Sequence, residues 1–244
     1  MSMTREDMLR ELELLPQWKL REPLHARAHS IAKTDALEAK QDAAPRLVEI
    51  PIEESQSEIQ NMNWQQLQTC VKSCQACSLA QTRTQTVFGV GDEKADWLIV
   101  GEAPGAEEDR RGEPFVGQAG KLLDNMLAAI HLKRGENVYI ANVLKCRPPE
   151  NRDPHGDEVQ KCDPYLKRQV ELIQPKLILA LGKFAAQSLL NTDDSISSLR
   201  GKLHSYAGVP VVVTYHPAYL LRSPLEKAKA WEDLCLARDI MQGL

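Results

Sequence analysis

Four apolar runs punctuate the second half of the chain, at residues 97–100, 138–143, 177–181 and 209–214. Each is short, rich in β-branched and aliphatic residues and bounded by turn formers, the pattern of a buried strand. Helical periodicity lies between or after them, at 119–130, 157–173, 183–190 and 226–241. Strands alternating with helices predict a parallel sheet covered on both faces, an α/β fold of three layers, α/β/α, around four parallel strands. Every run ends in a chemically loaded turn: Gly101-Glu102, Asn142, Gly182-Lys183 and Tyr215-His216-Pro217. Open α/β sheets bind ligands outside the carboxyl ends of their strands, so these turns converge on one site. No internal repeat is present.

The first 60 residues read differently. A short helix is expected behind Thr4, with Glu6 and Asp7 in its first turn and Leu9, Leu12, Leu14 and Leu15 as its apolar members. After Pro23 periodicity fades into Ala, Lys, Glu, Gln and Ser, so 23–60 is expected to be a largely disordered linker. The expected organisation is therefore an N-terminal arm and linker over 1–60 and a folded domain over 61–244.

The most loaded turn runs from Gly101 to Gly120. It carries Glu102, Glu107, Glu108, Asp109 and Phe115 among glycines at 101, 105, 112, 117 and 120. A core segment has no use for three consecutive acids after a strand, and glycines let backbone approach a ligand closely. An ordinary Gly-rich loop is the plain alternative.

With 43% apolar residues the 244-residue chain can build a core, yet no apolar run approaches the ~20 residues of a membrane helix. The charged N-terminus lacks a signal peptide's apolar segment, so a cytoplasmic protein without membrane contact is expected. The first 60 residues hold 8 basic and 12 acidic residues, which accounts for the whole net charge of −4. The remainder is neutral, which argues against a strong nonspecific nucleic-acid binder but leaves room for a local basic face.

In a reducing compartment the six cysteines are thiols or metal ligands rather than disulfides. Cys74 and Cys77 form a C-x-x-C pair, whereas Cys146 and Cys162 are single. A zinc ribbon shows two close knuckles. One knuckle plus two dispersed thiols fits an iron–sulfur cluster on four thiolates better, stapling the segment before the first strand to the Pro-rich loop 147–154. Cys70 and Cys235 read as spare, and thiols without metal remain the alternative.

Several motifs in order resemble the family 4 uracil-DNA glycosylases, the iron–sulfur branch of that superfamily. They are Cys74-Gln75-Ala76-Cys77-Ser78-Leu79, Arg83-Thr84-Gln85-Thr86-Val87-Phe88-Gly89, the 101–120 segment, Asn142-Val143-Leu144-Lys145-Cys146-Arg147-Pro148-Pro149, and His216-Pro217-Ala218-Tyr219-Leu220-Leu221-Arg222. The resemblance spans about Cys74 to Met241. It implies a four-stranded parallel sheet between helices and a structural 4Fe–4S cluster on Cys74, Cys77, Cys146 and Cys162. The implied reaction is hydrolysis of the bond between uracil and deoxyribose in DNA by a monomer.

That reaction requires the base to leave the stack, and its transition state separates a cationic sugar from an anionic base. His216 is expected to donate to a uracil carbonyl; a loop-capping histidine is the alternative. Asn142 can accept from N3–H and donate to O4, a pattern that cytosine reverses; a turn-ending asparagine is the alternative. Phe115 is expected to stack on the extruded base, beside Gly101, unless it plugs the core. Glu102 and Glu108 are candidates for holding water or stabilising the sugar cation, and Asp109 for capping a helix. The better-known family 1 enzymes have an aspartate at the position of Ala103 and a tyrosine at that of Gly105, so water handling and thymine exclusion differ here. Tyr219, Leu220, Leu221 and Arg222 are expected to enter DNA, with Lys121, Lys145, Arg147, Arg152 and Lys183 as phosphate contacts; helix packing and solvated charge are the alternatives. The inserted basic segment of a related covalently acting branch is absent, so covalent trapping is not expected.

Residues 8–23 are similar to the arm by which the psi subunit of the bacterial clamp loader docks, so residues 1–23 are expected to tether the protein to a replication partner. A glycosylase-like fold that senses DNA without cutting it is the alternative function.

Overall fold

The structure, a computed structural model, describes residues 58–244. The arm helix, almost all of the linker and the tethering segment expected over 1–60 lie outside the described residues. Six strands form one sheet: β1 (Val90–Gly91), β2 (Trp97–Gly101), β3 (Val138–Asn142), β4 (Leu177–Leu181), β5 (Leu203–Tyr206) and β6 (Val209–Thr214), in the order β1-β3-β2-β4-β6-β5. The inner four are mutually parallel, as the pattern predicts. The structure adds two antiparallel edges that the sequence did not announce. β1 is only two residues long, and β5 is half exposed. The β5–β6 hairpin turns on Ala207 and Gly208, both at positive φ, the backbone that tight hairpin turns demand.

The helices are α1 (Trp64–Ser73), α2 (Ala106–Arg111), α3 (Gln118–Ala129), α4 (Gly156–Ile173), α5 (Lys183–Leu190), α6 (Ile196–Leu199), α7 (Pro217–Arg222) and α8 (Lys227–Gln242). α1 escaped the apolar pattern, although its capping box was present: the Asn63 side chain accepts from the Gln66 amide and Gln66 answers to the Asn63 amide.

Strand alternation sorts the core into two layers. On one face Trp97, Ile99, Val138, Ile140, Leu177 and Leu179 pack with Leu123 and Leu127 of α3 and Leu234 of α8. On the other, Leu98, Val100, Tyr139, Ile178 and Val211 pack with Leu166 and Val170 of α4 and Ala185 and Leu189 of α5. A third cluster, Leu67, Val71, Leu79, Phe88, Leu144, Cys146, Cys162 and Tyr165, joins α1 to α4 outside the sheet.

The parallel register sets what stands at the carboxyl edge. Gly101 pairs with Asn142, and Leu181 with Thr214. The ladder continues past the strands, with the Val143 amide donating to Gly101 O and that of Leu144 to Glu102 O. Leu179 is fully buried on the central β4, so Leu179→Ala should lower stability by about 2–5 kcal/mol in urea unfolding, the range for a large-to-small core truncation.

Candidate active site

A cleft of about 460 Å³ opens at the carboxyl edge of the sheet. Glu102, Glu108, Phe115, Asn142, His216, Tyr219 and Arg222, all singled out in the sequence, line it. A larger groove of about 640 Å³ lies elsewhere, between α4, the end of α5 and the β5–β6 turn, with none of those residues.

Gly101 ends β2 where a side chain has no room. A Cβ there would stand 2.4 Å from Asn142 Oδ1 and 2.5 Å from Phe115 Cζ. Its glycine thus lets a carboxamide and an aromatic ring meet over the strand end. Asn142 is buried, and its Oδ1 has no hydrogen-bond partner. An orphaned buried acceptor is costly and marks a group kept for a ligand.

Phe115 sits at φ 54, the left-handed region, which disfavours a bulky residue. Three contacts hold it there. Glu108 Oε1 accepts from the amides of Val116 at 2.9 Å and Gly117 at 3.0 Å. Arg134 donates to Pro114 O and Phe115 O, each at 2.9 Å, and pairs with Asp124. A Cβ at Gly120 would fall 1.8 Å from Phe115 O, so α3 closes against the loop only through glycine. Glu108, a water candidate in the sequence, thus spends one oxygen on positioning this loop, and its Oε2 fills the space beside Gly105.

His216 is the N-cap of α7, and its Nδ1 accepts from the Ala218 amide at 3.1 Å. An accepting Nδ1 carries no proton, so the neutral ring keeps its hydrogen on Nε2. Burial, with some help from Arg222, depresses the imidazole to about 4; Glu108 opposes this weakly. The His216 and Phe115 rings stand 5.5 Å apart between centroids, tilted by 31°. Burial, and then Asp153, raise Glu102 to about 7.

Three sequence expectations change. Leu220 is 1% exposed and packs in the core, as the helix-packing alternative has it; Tyr219 and Leu221 are the exposed apolar members of α7. The short α7 needs one leucine as an anchor, and helical periodicity points that one inward. Lys145 is not a phosphate contact: it is buried and donates from Nζ to Asn142 O and Gln169 Oε1. Asp109 is buried and accepts from the amides of Thr84 and Gln85, tying the 84–85 segment to α2 rather than capping it. Among the other basic residues, Arg152 pairs with buried Glu158 and Arg147 bonds Asn151, while Lys121 is exposed and Lys183 lies over the Phe184 ring. Asp153, Phe184 and Arg134 went unmarked in the sequence; no local pattern distinguishes them from ordinary loop residues.

Cys74, Cys77, Cys146 and Cys162 line one small cavity outside the sheet, together with Val71, Lys145 and Tyr165. Donors point at their sulfurs: Arg83 at Cys146 (3.0 Å), Tyr165 OH at Cys74 (3.3 Å) and the Lys145 amide at Cys162 (3.3 Å). Arg83 also donates to Cys74 O at 2.6 Å, bridging two of the segments. Burial raises the Cys77 and Cys146 thiols, and pushes Cys162 up to about 12. Such thiols ionise only when a cation binds them. Among the described residues no group of three or more His, Cys, Asp or Glu is arranged to hold a single ion. The four sulfurs stand around one common cavity, with donors directed at three of them. Cys70 lies 3.9 Å from the Tyr165 hydroxyl without lining the cavity, and Cys235 sits on α8. Among the described residues no helix is long and apolar enough to cross a membrane.

Nitrogen-15 NMR of the His216 ring should show the neutral Nε2–H tautomer throughout pH 5.5–8, as a group depressed to about 4 requires. Titration near the ordinary histidine value would contradict the geometry.

Residues 88–235 match the model of a family described as the uracil DNA glycosylase superfamily. The type-4 uracil-DNA glycosylase of Archaeoglobus fulgidus is 53% identical over 162 residues, covering 63% of this chain and 81% of that protein. That of Pyrobaculum aerophilum is 42% identical over 183 residues, covering 72% and 93%. A type-5 uracil-DNA glycosylase of Pyrobaculum aerophilum is more distant, 32% identical over 148 residues, covering 53% and 64%. The sheet, the cleft and these similarities agree: the chain belongs to the uracil DNA glycosylase superfamily, in its type-4 branch.

Proposed function

We propose that the protein excises uracil from DNA by hydrolysing its N-glycosidic bond, leaving an abasic site. The observation that carries this reading is the meeting of Phe115, the unpartnered Asn142 Oδ1 and a neutral His216 in one cleft. Chemistry on a base demands its extrusion from the stack. The Phe115 ring offers a stacking surface of about 1–3 kcal/mol per base. Asn142 accepts from N3–H through Oδ1 and donates to O4 through its amide; cytosine presents the opposite pattern there. The Nε2–H of His216 donates to the O2 oxygen, where negative charge grows as the bond breaks. A neutral donor stabilises that charge without transferring a proton, and it acts in a site already ordered for it.

Glu102 is the group for the sugar side. As a carboxylate it holds the attacking water and faces the cationic sugar. Glu108 shapes the site by locking the Phe115 loop. Tyr219 and Arg222 line the cleft and Leu221 is exposed beside them on α7; the apolar side chains fill the space left by the base and the guanidinium meets phosphate. Cys74, Cys77, Cys146 and Cys162 hold a 4Fe–4S cluster, which supplies a cross-link between α1, the end of β3 and α4. We assign residues 1–23 the tethering of this domain to a replication partner. A DNA-sensing protein without activity is not favoured, because such a protein needs neither the unprotonated imidazole nor the water-facing acid.

Wild-type protein incubated with a uracil-containing oligonucleotide and then alkali should give strand cleavage. Asn142→Ala and His216→Ala should each lower the rate about 10²–10³-fold, the usual loss for one preorganised donor. Full activity in both variants, or no cleavage by iron-loaded wild type, would overturn the assignment.

Burial, and then Asp153, hold the Glu102 carboxyl at about 7, so the carboxylate predominates above that value. The single-turnover rate should therefore climb as pH rises through that value and level off above it. Glu102→Gln should be slow and nearly pH-independent; a wild-type rate that falls over the same interval would contradict the role of the carboxylate.

A further inference from the structure

Lys145 is 1% exposed, on the segment between Asn142 and Cys146. Its Nζ donates to Asn142 O at 2.8 Å and to Gln169 Oε1 at 2.6 Å. Gln169, also buried, is held in turn by its Nε2 donating to Phe88 O at 3.0 Å. Both acceptors of the ammonium are neutral, and among the described residues no carboxylate pairs with it. A buried cation without a counter-charge is strongly unfavourable, and a plain core position would take an apolar residue instead. Lys145 also lines the cavity around which all four cysteines stand. Its own amide donates to Cys162 Sγ at 3.3 Å, and its carbonyl accepts from the Val87 amide at 2.8 Å. One residue thus touches the sulfur site through its backbone and the residue that presents the Asn142 carboxamide through its ammonium.

We propose that Lys145 is a positioning residue joining the two sites: its ammonium is the counter-charge of the cluster held by Cys74, Cys77, Cys146 and Cys162, and its bond to Asn142 O fixes the strand end from which the carboxamide meets uracil. The inference rests on the uracil-excision reading and adds a residue to it. Four thiolates around an iron–sulfur core carry net negative charge, and charge beside a cluster shifts its reduction potential. The ammonium stabilises the more negative, reduced state. Without it, the carbonyl of Asn142 loses a charge-assisted partner and β3 loses the fixed end on which base recognition stands.

The test uses the full chain loaded with iron, in wild-type, Lys145→Met and Gln169→Glu forms. Iron per chain, the cluster's midpoint potential and the dissociation constant for free uracil are measured. Lys145→Met should show a more negative potential, faster loss of iron to a chelator and uracil binding weakened about tenfold, the size of one charge-assisted hydrogen bond. Gln169→Glu keeps a side chain of the same size as acceptor for the ammonium and neutralises its charge, giving up only the donor to Phe88 O. It should lower the potential and leave uracil binding unchanged. A folded Lys145→Met with wild-type potential and uracil affinity overturns the proposal. If Lys145→Met does not fold, an unchanged potential in Gln169→Glu overturns it, as does wild-type protein without iron. Failure of the excision reading is separate: iron-loaded wild type would then release no uracil from DNA.

Discussion

The site exists because Gly101 has no side chain. Parallel pairing sets Gly101 beside Asn142 at the last register position of β2 and β3, and the Phe115 ring folds over the same point. Any Cβ at residue 101 would collide with the carboxamide and the ring together. At this strand end glycine instead opens room for the carboxamide and the ring to converge. That opening leaves Asn142 Oδ1 without a partner, at a desolvation cost of about 1–3 kcal/mol. The sheet and its two apolar layers absorb it.

The surroundings keep this arrangement rigid. A left-handed phenylalanine carries strain of about 1–3 kcal/mol and persists only where neighbours over-determine it. Here a carboxylate takes two loop amides, a guanidinium takes two loop carbonyls, and α3 presses in through Gly120. The imidazole is fixed in the same manner: a backbone amide holds Nδ1, and Gly182 leaves room for the His216 Cβ, which a Cβ at 182 would approach to 2.8 Å. Burial then keeps the ring uncharged. Positioning, tautomer and charge state are settled before any base arrives, and this favours stabilisation of charge that appears only in the transition state.

Much of this was legible in the residues, for identifiable reasons. The inner strands show as apolar runs because both of their faces are buried, and their loaded ends follow from the rule that parallel sheets gather their chemistry at one edge. Edge strands lack that signal: β1 is too short, and β5 shows water one side. Phe115 stands out as an odd residue for a Gly- and Pro-rich loop, and Asn142 and His216 because they end apolar runs at the loaded edge within the family motifs. Lys145 and Leu220 do not: a lysine reads as surface and a leucine pair as a wedge until packing shows which way each points. Partners distant in sequence, such as Arg134 for Phe115 or Asp153 for Glu102, leave no local trace, since they are brought together only by the folded sheet.

Two sites are thus built on one short stretch, residues 142–146, which presents a carboxamide at one end and a thiol ligand at the other, with a buried ammonium between. The claim on which the account stands is that the Gly101 opening grips an extruded uracil. A crystal structure of the protein soaked with free uracil tests it most directly. The account expects the ring stacked on Phe115, with N3–H on Asn142 Oδ1 and O2 at His216 Nε2. Uracil seated in the groove beside Tyr206, or in the cleft without touching Asn142, would contradict it.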